Sequence, residues 1–228
     1  MRKIRTSTTD IRAIPKAIRH ALICIVMIFG CIALALPVSA AMGPTETIKP
    51  VIEDVTKLLK DPKLKGDAHR DERRQKIMST IKTGFDFQEM CKRVLGKTWQ
   101  EVSEGEREHF TELMTKLLEN TYIGKLEGYD YKSIEYADEK IEGERAQVST
   151  LVIKEDAKFP MHYVLQQTSK GWMVYDINIE GVSLVRNYKE QFQSILRTDK
   201  FEGLVKTIEE KNRTFEQTGK IDQTGKSS

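Results

Sequence analysis

Few side chains in this sequence could do chemistry, and Asp176 has the most unusual setting among them. It lies in WMVYDINI, Trp172 to Ile179, between Tyr175 and Ile177. A carboxylate among apolar neighbours must find hydrogen-bond donors or raise its pKa. As a structural group Asp176 would take backbone amides at the turn marked by Gly181. As a general base it would move a proton on a hydrophobic substrate, with Tyr163 or Tyr175 donating to the developing oxyanion. Ser183, two residues past Gly181, has the position and the hydroxyl to cap a following helix.

The other reactive residue types form no constellation. His69, His109 and His162 are isolated, with no second ligand at helical or hairpin spacing beyond ordinary carboxylates, so no metal site is expected. Cys91 follows Met90 and precedes Val94 without an adjacent base, which suits a buried thiol better than a nucleophile. No glycine loop suited to phosphate is present, and Glu180-Gly181-Val182-Ser183 lacks the second glycine of a nucleophile elbow. Apart from the Asp176 alternative, the sequence therefore nominates no catalytic residue, and it nominates no metal or cofactor.

The elements that must position these groups are legible from hydrophobic periodicity. Ile48, Val51, Ile52, Val55, Leu58 and Leu59 give a helical stripe after Pro44, which Asp61 and Pro62 end. Lys63 to Arg74 is charged and loop-like, leading to a short helix over about 75–81. Phe85, Asp86 and Phe87 open a helix bearing Met90, Val94 and Leu95, closed by Gly96. Ser103 and Glu106 have capping-box spacing ahead of Phe110, Leu113, Met114, Leu117 and Leu118.

From Tyr131 the period changes to two. Tyr131–Tyr136, Glu144–Ile153, Phe159–Gln167 and Trp172–Ile179 read as strands with short connections, hence an antiparallel meander. Ala146, Val148, Thr150 and Val152 share one parity, and Met161, Tyr163 and Leu165 another, so one apolar wall is expected. Strict alternation in the fourth strand puts Trp172, Val174, Asp176 and Asn178 on one face and Met173, Tyr175, Ile177 and Ile179 on the other. After Gly181, Val182, Val185, Tyr188, Phe192, Ile195 and Leu196 mark a helix. Thr198 and Glu202 are placed to cap another with Phe201, Leu204, Val205 and Ile208, and Asn212 to Ser228 is polar enough to be disordered.

The first 40 residues set the compartment. Arg2, Lys3, Arg5, Arg12, Lys16 and Arg19 precede an uncharged apolar run from Ala21 to Leu36, then Pro37, Val38, Ser39, Ala40 and Ala41. That order is a secretory signal peptide cleaved after Ala40, with an uncleaved anchor as the alternative. The leader holds six of the 37 Lys+Arg and one of the 34 Asp+Glu, so the remainder is slightly acidic and nucleic acid is a poor partner. Cys24 and Cys31 leave with it, and Cys91 alone cannot form an intramolecular disulfide.

Several motifs in fixed order then bear on identity. They are FDF at Phe85–Phe87, LG-x-x-W at Leu95–Trp99, the F-x-x-L-x-x-x-L-L-x-x-T-Y series from Phe110 to Tyr122, V-x-T at Val148–Thr150, W-x-V-Y-D-I-x-I-E-G-V-S-L-V from Trp172, and GLV at Gly203–Val205. Together they resemble the MlaC, or toluene-tolerance, family of periplasmic phospholipid-binding proteins. The resemblance implies an α+β fold in which an N-terminal helical part packs on a C-terminal antiparallel meander, a nuclear-transport-factor-like cone enclosing an apolar lipid pocket. The domain plan is a signal peptide at 1–40, a lipid-binding domain at 41–212 and a tail at 213–228. Helices would occupy about 44–125, with the sheet and last helices over about 126–212.

The resemblance also implies a function. Members carry phospholipid by its acyl chains between an outer-membrane lipoprotein–porin complex and an inner-membrane ABC transporter complex with a membrane-anchored lipid-binding subunit, maintaining outer-membrane lipid asymmetry. Some branches sit with hopanoid metabolism, so a hopanoid-associated carrier is an alternative beside the Asp176 enzyme, as is a structural envelope protein. Bound phospholipid would be cargo, not a cofactor. Chains leaving a bilayer expose about 0.8 kcal/mol per methylene, so such a carrier needs a large dry pocket. The expected wall is Val148, Thr150, Val152, Tyr163, Leu165 and Val174. Phe110, Leu113, Leu117, Tyr122, Val182, Leu184, Tyr188 and Phe192 are expected to face it, with the 106–122 helix across from the sheet and the headgroup in water at the mouth.

Overall fold

A computed structural model describes residues 42–128, 132–155 and 157–218 of the chain. The leader expected over 1–40, Tyr131, Asp156 and the end of the tail lie outside the described residues.

Helix α1 (Pro44–Lys60) starts with Pro44, at a position where no backbone N–H is needed, and ends at Asp61 before Pro62. Two 3₁₀ turns, Pro62–Leu64 and Asp67–His69, follow. Helix α2 then spans Arg70–Gly84, well beyond the short helix expected over 75–81. The extra turns are held by charge: Glu127 accepts from Arg73 at 2.7 Å and from Arg74 at 3.1 Å, and Arg73 also donates to the carbonyl of Leu64. Opposite charges far apart in sequence carry no periodic signal, which is why this segment reads as loop.

The FDF motif fastens the helices to the sheet. Phe85 bridges Val174 in parallel fashion, the Asp86 amide donates to the Val174 carbonyl at 2.7 Å, and the Asp86 carboxylate caps helix α3 (Phe87–Leu95) by accepting from the Glu89 amide. A short helix α4 (Thr98–Glu101) carries Trp99. Ser103 and Glu106 then form the expected reciprocal cap on α5 (Glu104–Leu118), the Ser103 amide donating to Glu106 Oε2 at 2.7 Å. A π-helical turn at Glu119–Ile123 and a single helical turn α6 (Gly124–Glu127) end the helical half.

The sheet has five antiparallel strands in sequence order: β1 (Ser133–Glu142), β2 (Arg145–Ile153), β3 (Lys158–Thr168), β4 (Gly171–Ile179) and β5 (Val182–Ser183). The architecture is the expected α+β arrangement, with one strand more. Glu180 and Gly181 both have positive φ, 51° and 89°, as a two-residue hairpin turn requires, and this makes Val182 and Ser183 a strand instead of helix. Helices α7 (Leu184–Thr198) and α8 (Lys200–Thr218) close the fold. The Thr198 hydroxyl has its possible acceptors in the Ser194 and Ile195 carbonyls of its own helix and in Asp199, so it belongs to the end of α7 and not to a cap on α8. A Cβ on Gly203 would lie 2.3 Å from Asp199 Cβ, so only glycine fits at this tight start of α8.

Helix α8 runs through residues 213–218, where a disordered tail was expected. The buried Asn212 explains it: its amide donates to the Leu113 carbonyl at 3.0 Å, and its Oδ1 accepts from Asn120 at 3.1 Å. A polar residue that tertiary partners satisfy looks, in sequence, the same as a solvated one.

Two β-bulges set which residues face the helices. On β1, Tyr136 faces Thr150 and Asp138 faces Ser149, with Ala137 extra. On β4, Val174 faces Leu165 and Asp176 faces Val164, leaving Tyr175 extra. The second bulge corrects the strict alternation: Ile177, opposite Tyr163, shares the inner face with Val174. Helices α1, α3 and α7 approach this sheet closely, and α5 packs mainly on α3 and α8. Phe110, Met114, Leu117 and Leu118 of α5 nevertheless share one buried cluster with Val148, Tyr163 and Leu165 of the sheet.

Candidate functional site

The inner face of the sheet is ordered in rows across the strands. Ile141, Ala146, Leu165 and Val174 form one, then Glu139, Val148, Tyr163 and Ile177, then Tyr136, Thr150, Met161 and Ile179, and finally Ile134, Val152 and Phe159. The expected wall of Val148, Thr150, Val152, Tyr163, Leu165 and Val174 is thus on one face. Burial loosens along it. Val148 and Leu165 are fully buried, Thr150 is 1% exposed, and Val152 and Phe159 are half-buried. One end of the face is sealed and the other is open.

Most of the facing residues meet this wall in one continuous cluster. Phe110, Leu117, Leu184, Tyr188 and Phe192 are buried in it with Val148, Tyr163, Leu165 and Val174, while Leu113 and Tyr122 are half-buried at its margin. The Phe110 ring contacts Phe192 at 6.4 Å edge-on and Phe201 at 5.9 Å, which places it between α7 and α8. Val182 does not join them: it pairs with Ile179 in β5 and is 53% exposed. Val148 and Leu165 have no exposed surface, so side chains fill the space beside them, while Val152 further along the wall stays half-buried.

A second, smaller cluster lies between α1, α2 and the π turn, around Ile77, Met78 and Ile123, with Val55, Leu58 and Leu59 against it. Ile81 and Phe87 touch both clusters. An open groove of about 830 Å³ runs between α2, the π turn and the end of α8, lined by Arg70, Arg74, Lys82, Lys116, Glu119 and Phe215 among others. It is polar and lies away from the wall.

Asp176 is hydrogen-bonded at both carboxylate oxygens. Its Oδ2 accepts from the Ser183 hydroxyl at 2.6 Å and its Oδ1 from the Val185 amide at 3.0 Å, while Ser183 Oγ accepts from the Arg186 amide at 3.0 Å. The donors come from the end of β5 and the first turn of α7, not from the Gly181 turn itself, because β5 carries the chain past the turn before the helix begins. Ser183 caps α7 as expected. Tyr175, one of the two candidate oxyanion donors, lies under the Arg93 guanidinium, 3.8 Å from its ring centroid.

The remaining reactive groups are dispersed. His69 sits in a 3₁₀ turn, His109 on α5 contacts Glu209 at 3.2 Å, and His162 on the outer face of the sheet contacts Ser149 at 2.9 Å. No three His, Cys, Asp or Glu side chains gather around a possible metal among the described residues. Cys91 is fully buried, and desolvation pushes its thiol up to about 12, outside the range of a nucleophile. Burial also raises Tyr188, whose hydroxyl meets those of Thr121 and Tyr122 and which the nearby Tyr122 raises further.

The sequence reading missed Ile177 and Tyr136. The signal for Ile177 was present: Trp172 and Val174 are apolar but Asp176 and Asn178 on the same parity are polar, which marks a face switch. Tyr136 had no such signal, since it is one aromatic residue on a strand otherwise rich in charge.

Helices layered over one face of an antiparallel meander, around a single apolar interior, define an α+β protein whose distinctive surface is that inner face. The MlaC protein family model matches residues 49–210, and the chain belongs to that family. Among solved structures, a phospholipid-binding protein from Ralstonia solanacearum in complex with a phospholipid shares the fold. Its TM-score is 0.68 at 23% identity, over 77% of this chain and 99% of that one. No curated protein matches the sequence.

Proposed function

We propose that this protein is a periplasmic carrier that holds a phospholipid by its acyl chains. It takes the lipid from an outer-membrane lipoprotein–porin complex and delivers it to an inner-membrane ABC transporter complex with a membrane-anchored lipid-binding subunit, or the reverse, maintaining outer-membrane asymmetry. The observation that carries this reading is family membership over residues 49–210, supported by the fold shared with a phospholipid complex. The signal-peptide pattern of residues 1–40 supports the compartment.

The inner face gives the reading a physical route. Each methylene withdrawn from a bilayer must regain about 0.8 kcal/mol, which only an apolar interior supplies. Chains would enter at the half-buried row of Ile134, Val152 and Phe159 and part the side chains that fill the sealed end. Asp176, with both oxygens accepting hydrogen bonds, gives the proton-transfer alternative little support.

Transfer between two vesicle populations tests the proposal. The protein should move labelled phospholipid from donor to acceptor at a rate proportional to its concentration. Transfer no faster than in its absence would refute the carrier.

A further inference from the structure

The open end of the inner face holds one group that the fold leaves unsatisfied. Tyr136 stands on β1 opposite Thr150, and its hydroxyl is shut from solvent with no hydrogen-bond partner among the described residues. An orphaned buried hydroxyl costs free energy that a phenylalanine would avoid, so it calls for a partner. Burial, and then the nearby Glu53 carboxylate, push the phenol up to about 12, which keeps it a neutral donor near neutral pH.

Helix α1 brings two opposite charges to the same rim. The Lys49 ammonium lies 5.6 Å from the Tyr136 ring centroid, and Glu53, one turn further along, acts on the Tyr136 hydroxyl electrostatically. Both side chains are on exposed residues. The first turn of α1 is tied to β1 by the Thr45 amide, which donates to Glu139 Oε2 at 2.7 Å, so the helix that carries Lys49 and Glu53 is anchored beside the strand that carries Tyr136. From interior to solvent the rim presents a donor, then a cation and an anion.

A diacylglycerol could offer Tyr136 only a neutral hydroxyl or ester oxygen, a weaker acceptor than phosphate, and would leave Lys49 and Glu53 unused. A purely anionic head would meet Lys49 and Tyr136 favourably but would be repelled by Glu53. A phosphate joined to an ammonium through two carbons can use all three, since side chains one helical turn apart lie about 5–6 Å from each other at Cβ. We infer that Tyr136, Lys49 and Glu53 form a headgroup subsite for a zwitterionic, phosphoethanolamine-type phospholipid. Tyr136 and Lys49 hold phosphate oxygens, and Glu53 holds the ammonium. This assignment rests on the carrier reading.

Competition binding by the purified protein among phosphatidylethanolamine, phosphatidylglycerol and diacylglycerol of identical chains tests it. The unaltered protein should favour phosphatidylethanolamine over both. Tyr136→Phe should lower its advantage over diacylglycerol by about tenfold, as expected for one hydrogen bond to a charged acceptor, with no loss of melting temperature. Glu53→Gln should abolish the preference over phosphatidylglycerol while leaving diacylglycerol uptake unchanged. Equal uptake of all three lipids by the unaltered protein would overturn the subsite and leave the carrier standing. Uptake of none would overturn both. A Tyr136→Phe protein that loses phosphatidylethanolamine and diacylglycerol in equal proportion would make Tyr136 a wall residue and remove it from the subsite.

Discussion

The carboxylate of Asp176 on β4 and the hydroxyl of Ser183 on β5 lie 2.6 Å apart, and the same carboxylate accepts from the Val185 amide at 3.0 Å. One acidic side chain thus joins the last long strand to the start of α7, whose Tyr188 and Phe192 enter the core. Asp176→Asn should keep the shape but weaken both bonds, with a stability loss of about 1–3 kcal/mol read from denaturant unfolding. Below the melting transition lipid binding should persist. Full stability combined with lost cellular function would instead point to chemistry at Asp176.

Val148 and Val152 share one strand face but differ in burial, which separates packing from cargo space. With no free volume at Val148, Val148→Trp should overpack and destabilise lipid-free protein by about 1–3 kcal/mol. The ring in Val152→Trp has room at the open end, so that variant should melt near the unaltered temperature yet retain less lipid. Equal melting temperatures for both would show that the face is uniformly open.

This contrast marks what the sequence could disclose. The capping box at Ser103 and Glu106, the strand faces of Val148 and Tyr163, and the Ser183 cap depend on neighbours within a few residues or on simple alternation, so they are readable. The Tyr175 bulge, the packing of α5 on α3 and α8 and the complete burial of Val148 depend on how distant elements meet. Val182 reads as interior from its apolar type alone, but the Glu180–Gly181 turn directs it into an exposed edge strand.

Asn212 offers a test of the last helix. Removing its amide leaves the Leu113 carbonyl and Asn120 without these partners, so Asn212→Ala should cost about 1–3 kcal/mol. Hydrogen exchange should then rise first in residues 213–218 of α8. Unchanged exchange there would mean that the Arg74–Phe215 contact, 5.8 Å from guanidinium to ring centroid, is enough to hold the end.

The carrier account is tested most directly by native mass spectrometry of the protein purified without detergent from gently lysed cells. The account predicts a dominant species heavier than the polypeptide by one phospholipid, with the adduct released into organic solvent and identified there. A spectrum of ligand-free polypeptide alone, from protein that is folded by circular dichroism, would contradict it.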